Sequence, residues 1–83
     1  MTPTLSVPQI EKRLMELIAG FSPRPDAVTR DATLEALDVD SLDLVEFAQA
    51  AEEEFGVTLV TDDVQEVKTV GEALDLVVGL ALP

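Results

Sequence analysis

The sequence predicts an all-α fold, a small bundle of three main helices plus one short helix, with a long loop between the first and second helices. Three observations carry this. Apolar residues recur at spacings of three and four in three segments, 10–21, 44–55 and 70–81, which is the period of an amphipathic helix. Capping residues stand ahead of each segment: Ser6 with Gln9, Asp40, and Thr69 with Glu72. The one stretch with strand character, Val57-Thr58-Leu59-Val60, has no second strand to pair with.

The first helix spans roughly residues 7 to 20. Ser6 caps it, Gln9 completes a capping box, Pro8 is tolerated in the first turn, and Gly20, Pro23 and Pro25 end it. Ile10, Leu14, Leu17, Ile18 and Phe21 form its buried stripe. Residues 21 to 40 are too long a connection to be structureless, so Leu34 and Leu37 are expected on a short helical turn capped by Thr33 or Asp31. This loop is expected to run the length of a helix and deliver Ser41 to the end where the first helix begins. The second helix runs from Ser41 to about Phe55, with Leu44, Phe47, Ala48, Ala51 and Phe55 inward. Gly56 breaks it. Thr61 is expected to cap a brief acidic helix through Glu66, with Val64 and Val67 inward. The last helix buries Val70, Ala73, Leu74, Val77, Val78 and Ala81, and Pro83 closes the chain. One domain over 1–83 is expected, with residues 1–5 flexible.

Net charge is −12, and its placement matters more than its size. Residues 31 to 66 contain twelve acidic side chains and no Lys or Arg, while five acids and five bases elsewhere cancel. Such a field repels nucleic acid and anionic membrane surfaces and steers basic protein patches toward itself. No apolar run approaches the ~20 residues of a membrane span, and Met1-Thr2-Pro3-Thr4 does not open a secretory signal, so a cytoplasmic monomer is expected.

The residue types exclude much chemistry. Without His or Cys there is no Ser-His triad, no thiol nucleophile and no imidazole or thiolate metal site. A serine–lysine pair would need Lys12 or Lys68, and nothing in the linear pattern brings either to Ser41. A calcium loop begun at Asp38 fails, because Leu42, Asp43 and Gln49 stand where an acid or amide, Gly and Glu are needed. The chain reads as a non-enzyme without a specific metal site.

Asp38-Val39-Asp40-Ser41-Leu42-Asp43 is the stretch with functional content. Asp40 as N-cap puts Ser41 at the first helical position, with its hydroxyl toward water. A helix N-terminus accepts a phosphate there, although Asp40 and Asp43 partly oppose one. Leu42 and Val45 lie off the buried stripe beside Ser41, Asp43 and Glu46, as a small apolar docking surface rimmed by carboxylates.

Leu37-Asp38-Val39-Asp40-Ser41-Leu42-Asp43 resembles the phosphopantetheine-attachment motif of acyl carrier proteins, whose core is Asp-Ser-Leu. Val45-Glu46-Phe47 and Glu52-Glu53-Glu54-Phe55 resemble the rest of that family's second helix, and the likeness continues through the last helix, over residues 5 to 80. The resemblance implies a 4′-phosphopantetheine arm on Ser41, flanked by Asp40 and Leu42. It implies a partner-facing surface of Asp43, Val45, Glu46, Gln49, Glu52, Glu53 and Asp62. The partners implied are a phosphopantetheinyl transferase and acyltransferase, ketosynthase and other acyl-processing enzymes with basic patches.

Departures bear on pathway. Ala48-Gln49-Ala50-Ala51 stands where primary fatty-acid carriers usually have a run like Val-Met-Ala-Leu, and Ala51 in place of a larger core residue suggests more internal room. Val60 replaces a proline, and Gly56-Val57 is common in specialised carriers. A polyketide or other specialised pathway is expected, with primary fatty-acid synthesis as the alternative. Peptidyl carriers typically show Gly-Gly-His/Asp-Ser, which Asp38-Val39-Asp40-Ser41 does not match. A reading from another class is an acidic helical adaptor without cofactor.

Overall fold

The computed structural model describes residues 6–81. The expectations for residues 1–5 and for Pro83 lie outside the described residues. Four α-helices follow in order: α1 (Val7–Phe21), α2 (Ser41–Phe55), α3 (Thr61–Gln65) and α4 (Val70–Ala81), with a 3₁₀ turn at Pro25–Ala27.

Each long helix starts from side-chain chemistry. At α1 the Ser6 hydroxyl accepts from the Gln9 N–H at 3.4 Å, and Gln9 Oε1 accepts from the Ser6 N–H at 2.8 Å. At α4 the Thr69 hydroxyl accepts from the Glu72 N–H at 3.1 Å, and Glu72 takes its return bond from the hydroxyl at 3.3 Å. The short helix departs from expectation. Val60 holds its cap position without a side-chain hydrogen bond, and Thr61 is already the first helical residue.

The core is largely the expected one, but Leu17, Phe21, Phe55, Val67, Val78 and Ala81, expected inward, are only partly buried and pack against its edge. Ile10, Leu14 and Ile18 from α1 meet Leu44, Phe47, Ala48 and Ala51 from α2 and Val70, Ala73, Leu74 and Val77 from α4. Leu34 and Leu37 dock into it from the loop. The Leu37 N–H donates to the Thr33 carbonyl at 3.2 Å, and Thr33 Oγ1 caps the turn by accepting from the Ala36 N–H at 3.1 Å. Thr33, not Asp31, supplies the cap.

The course of the loop corrects the sequence reading. It turns back along α1 until Arg30 pairs with Glu11, then returns, so that Ser22 Oγ donates to the Leu37 carbonyl at 2.7 Å and Arg24 lies 3.8 Å from Asp38. Arg13 in the second turn of α1 grips Glu54 at the far end of α2, with Nε to Oε2 at 2.8 Å. The two helices are therefore antiparallel, and Ser41 sits at the end where α1 finishes. Near this end Thr33 and Thr69 pair in an isolated antiparallel bridge, with the Leu34 N–H to the Lys68 carbonyl at 2.9 Å and the Val70 N–H to the Ala32 carbonyl at 3.0 Å. Gly71 makes the approach possible. Its N–H reaches the Arg30 carbonyl at 2.9 Å, and a Cβ there would stand 3.1 Å from that oxygen.

Candidate functional site

The head of α2 is fixed by a reciprocal pair of aspartates. Asp40 Oδ1 accepts from the Asp43 N–H at 2.9 Å, and Asp43 Oδ2 accepts from the Asp40 N–H at 3.3 Å. Both carboxylates are thus engaged in closing the helix end. Ahead of them the chain turns through Asp38, whose φ of +58° is left-handed, a conformation that Asp tolerates better than most residues. Val39 is then driven into the core, its N–H on the Leu34 carbonyl at 2.9 Å. Burying Val39 leaves Asp40 and Ser41 outside, so Ser41 is exposed at the first helical position.

Ser41 opens on a surface hollow of about 700 Å³ whose lining includes Thr33, Glu35, Asp38, Val67 and Lys68. Lys68 was not connected with Ser41 by any linear pattern; the Thr33–Thr69 bridge puts it there. The residues fit a phosphopantetheine arm. The hydroxyl is exposed and takes part in no side-chain hydrogen bond among the described residues, room adjoins it, and the nearest carboxylates point into the capping box.

The remaining candidates separate into two groups. Leu42, Glu46, Gln49 and Glu53, at spacings of four, three and four, are all exposed and form the outermost stripe of α2; Leu42 is 67% accessible. Val45 departs from the sequence reading. It is half-buried, and with Ala48, Gln49, Glu52, Leu59 and Val64 it lines a shallow groove of about 110 Å³ between α2 and α3. Glu52 is half-buried as well, with Oε2 accepting from the Leu59 N–H at 2.9 Å, so it braces the α2–α3 loop. Asp43 is half-buried in its capping box, and Asp62 is exposed in the first turn of α3. Between α2, α3 and α4 an apolar slit lined by Leu44, Phe47, Leu59, Val64, Leu76 and Val77 encloses only about 10 Å³. Ala51 is fully buried and does not line that slit, so the room expected beside it is absent there.

The helical bundle presents an exposed, unengaged hydroxyl at a helix start, beside an acidic and partly apolar face, an arrangement that suits a covalently held group. The comparisons with known proteins agree. Residues 12–77 match the family model described as phosphopantetheine attachment site. An acyl carrier protein of Acidothermus cellulolyticus is 43% identical over 76 residues, covering 88% of this chain and 89% of the relative. One of Lactobacillus acidophilus is 36% identical over 75 residues, covering 88% and 94%. Among solved structures, the 3,5-dioxohexyl acyl carrier protein of the actinorhodin polyketide synthase from Streptomyces coelicolor superimposes with a TM-score of 0.71 at 31% identity, covering 98% of this chain and 95% of that one. The chain belongs to the acyl carrier protein family.

Members of that family are carriers and not catalysts; they hold 4′-phosphopantetheine and work with acyl-processing enzymes and a phosphopantetheinyl transferase. Membership sets aside the cofactor-free adaptor. Among the described residues no helix is long and apolar enough to cross a membrane.

Proposed function

We propose that Ser41 is the residue that bears 4′-phosphopantetheine, and that this chain carries acyl intermediates for a polyketide or other specialised pathway. One observation carries the attachment. The sequence has three serines; Ser6 lies outside the matched residues and caps α1, Ser22 is buried with its hydroxyl bonded to Leu37, and Ser41 alone is exposed and unengaged. In the transfer, Ser41 Oγ forms a bond to the β-phosphorus of coenzyme A, the pyrophosphate P–O bond breaks, adenosine 3′,5′-bisphosphate leaves, and the hydroxyl proton passes to a base of the transferase. The arm, when bound, supplies the thiol that a cysteine-free chain lacks, and thioesters form on it.

Partners meet the outer stripe of α2. Leu42 gives apolar contact, and Glu46 and Glu53 attract basic patches, a combination that speeds encounter and permits release. The specialised pathway is supported by Ala48-Gln49-Ala50-Ala51, by Val60, and by the likeness to the actinorhodin carrier over nearly the whole chain. The 43% identity to the Acidothermus acyl carrier protein, a name tied to no pathway, leaves primary fatty-acid synthesis as the second reading. The closed slit supports short or polar cargo held outside the bundle. Loading the holo-protein with malonyl, acetyl and long saturated acyl groups and recording amide spectra separates the readings. Specialised, external cargo predicts signals at Leu44, Phe47 and Val77 that stay in place with every group; large shifts there with the long saturated chain favour the fatty-acid reading.

A further inference from the structure

The charge around Ser41 is lopsided in a way the attachment alone does not explain. A phosphodiester on that hydroxyl adds a full negative charge beside Asp40 and Asp43, in a hollow already lined by Glu35 and Asp38. The nearby Arg24 is committed to Asp38 at 3.8 Å. Lys68 lines the same hollow, is exposed, and makes no ion pair within 4.0 Å among the described residues, whereas Arg13, Arg24 and Arg30 all do. Its backbone is held in place relative to the serine. The Lys68 carbonyl accepts from the Leu34 N–H at 2.9 Å, and the Leu34 carbonyl accepts from the Val39 N–H, also at 2.9 Å, two residues before Ser41.

We infer that Lys68 is a positioning residue for the prosthetic group, its ammonium pairing with the phosphodiester on Ser41 and holding the near end of the arm over the hollow at the α3–α4 junction. The inference rests on Ser41 being the attachment residue. A lysine serves phosphate as a mobile point charge. A pair at this exposed surface is weak and screened by salt, so the basic patch of a docking enzyme competes with Lys68 for the phosphate and frees the arm.

The chain has only two lysines, Lys12 and Lys68, which makes the test clean. Reductive ¹³C-methylation keeps the charge of both and gives each a distinct signal, assigned with Lys68→Gln. The full-length protein is recorded before and after loading with coenzyme A and a promiscuous phosphopantetheinyl transferase, with intact mass read on the same sample. We expect the phosphopantetheine-sized mass gain, a displacement of the Lys68 methyl signal several-fold larger than that of Lys12, and collapse of that displacement in 0.5 M salt, where the Debye length falls to about 4 Å from about 30 Å in a 0.01 M buffer. The ³¹P signal of the diester moves in Lys68→Gln and stays in Lys12→Gln. A mass gain with equal or no displacement at the two lysines overturns the inference and leaves the attachment standing. No mass gain overturns both.

Discussion

At the residue scale, the site depends on two aspartates doing different work. Asp40 closes the head of α2, so Asp40→Ala should lower stability by about 1 kcal/mol in urea denaturation, the usual worth of an N-cap. Asp38 adopts the left-handed region at φ +58° and pairs with Arg24. Asp38→Val should lose about 1–2 kcal/mol in the same experiment, because a β-branched side chain crowds the following carbonyl there. Asp38→Gly relieves that crowding and should retain the fold. The N-cap was legible in the sequence, since Asp ahead of an apolar series is a local signal. The left-handed turn was not, since no glycine marks it.

At the scale of elements, α2 does two jobs on two sides, and they respond to different substitutions. Leu42→Ala should leave the unfolding free energy from urea denaturation within about 0.5 kcal/mol of wild type, because the side chain is 67% accessible. The same change should raise the KM of a partner acyltransferase about fivefold or more, as loss of an interface anchor does. Glu52→Ala should do the reverse and weaken the fold, since its carboxylate holds the Leu59 N–H. The stripes of the long helices were readable because a helix repeats itself. What the repeat cannot supply is the neighbour. Val45 and Glu52 read as outward from their own helix, and only the docking of α3 half-covers them. Arg30 is a lone residue in a loop, yet its contacts with Glu11 and Asp75 help hold the loop's reversal and hence the end at which Ser41 emerges. Lys68 reaches the site only through a bridge between residues 33 and 69, a pairing with no periodic trace.

For the whole molecule, charge sets the response to solvent. A net charge of −12 with a pI near 4.1 repels itself in the compact state, so added salt should raise the thermal midpoint at pH 7. Glu54 runs against this trend. The hydrogen bonds and charge of Arg13 hold its carboxyl below the usual carboxylate range. Its folded value is thus below its unfolded one, and the pair's contribution is fully present above the unfolded value, about 4.3, and lost as pH falls through the folded one. Thermal melts of wild type and Glu54→Gln should differ at pH 7 and converge as pH falls through the lowered folded value; the gap should be small, since both side chains are partly exposed.

The measurement that bears most directly on the attachment is where the added mass sits. Cleavage after Arg30 and Lys68 isolates a fragment, residues 31–68, whose one serine is Ser41, and separates it from Ser22 and Ser6. After treatment with coenzyme A and the transferase, the phosphopantetheine-sized gain should appear on that fragment alone, persist in Ser22→Ala and vanish in Ser41→Ala. A gain on any other fragment, or one that survives Ser41→Ala, would contradict the assignment.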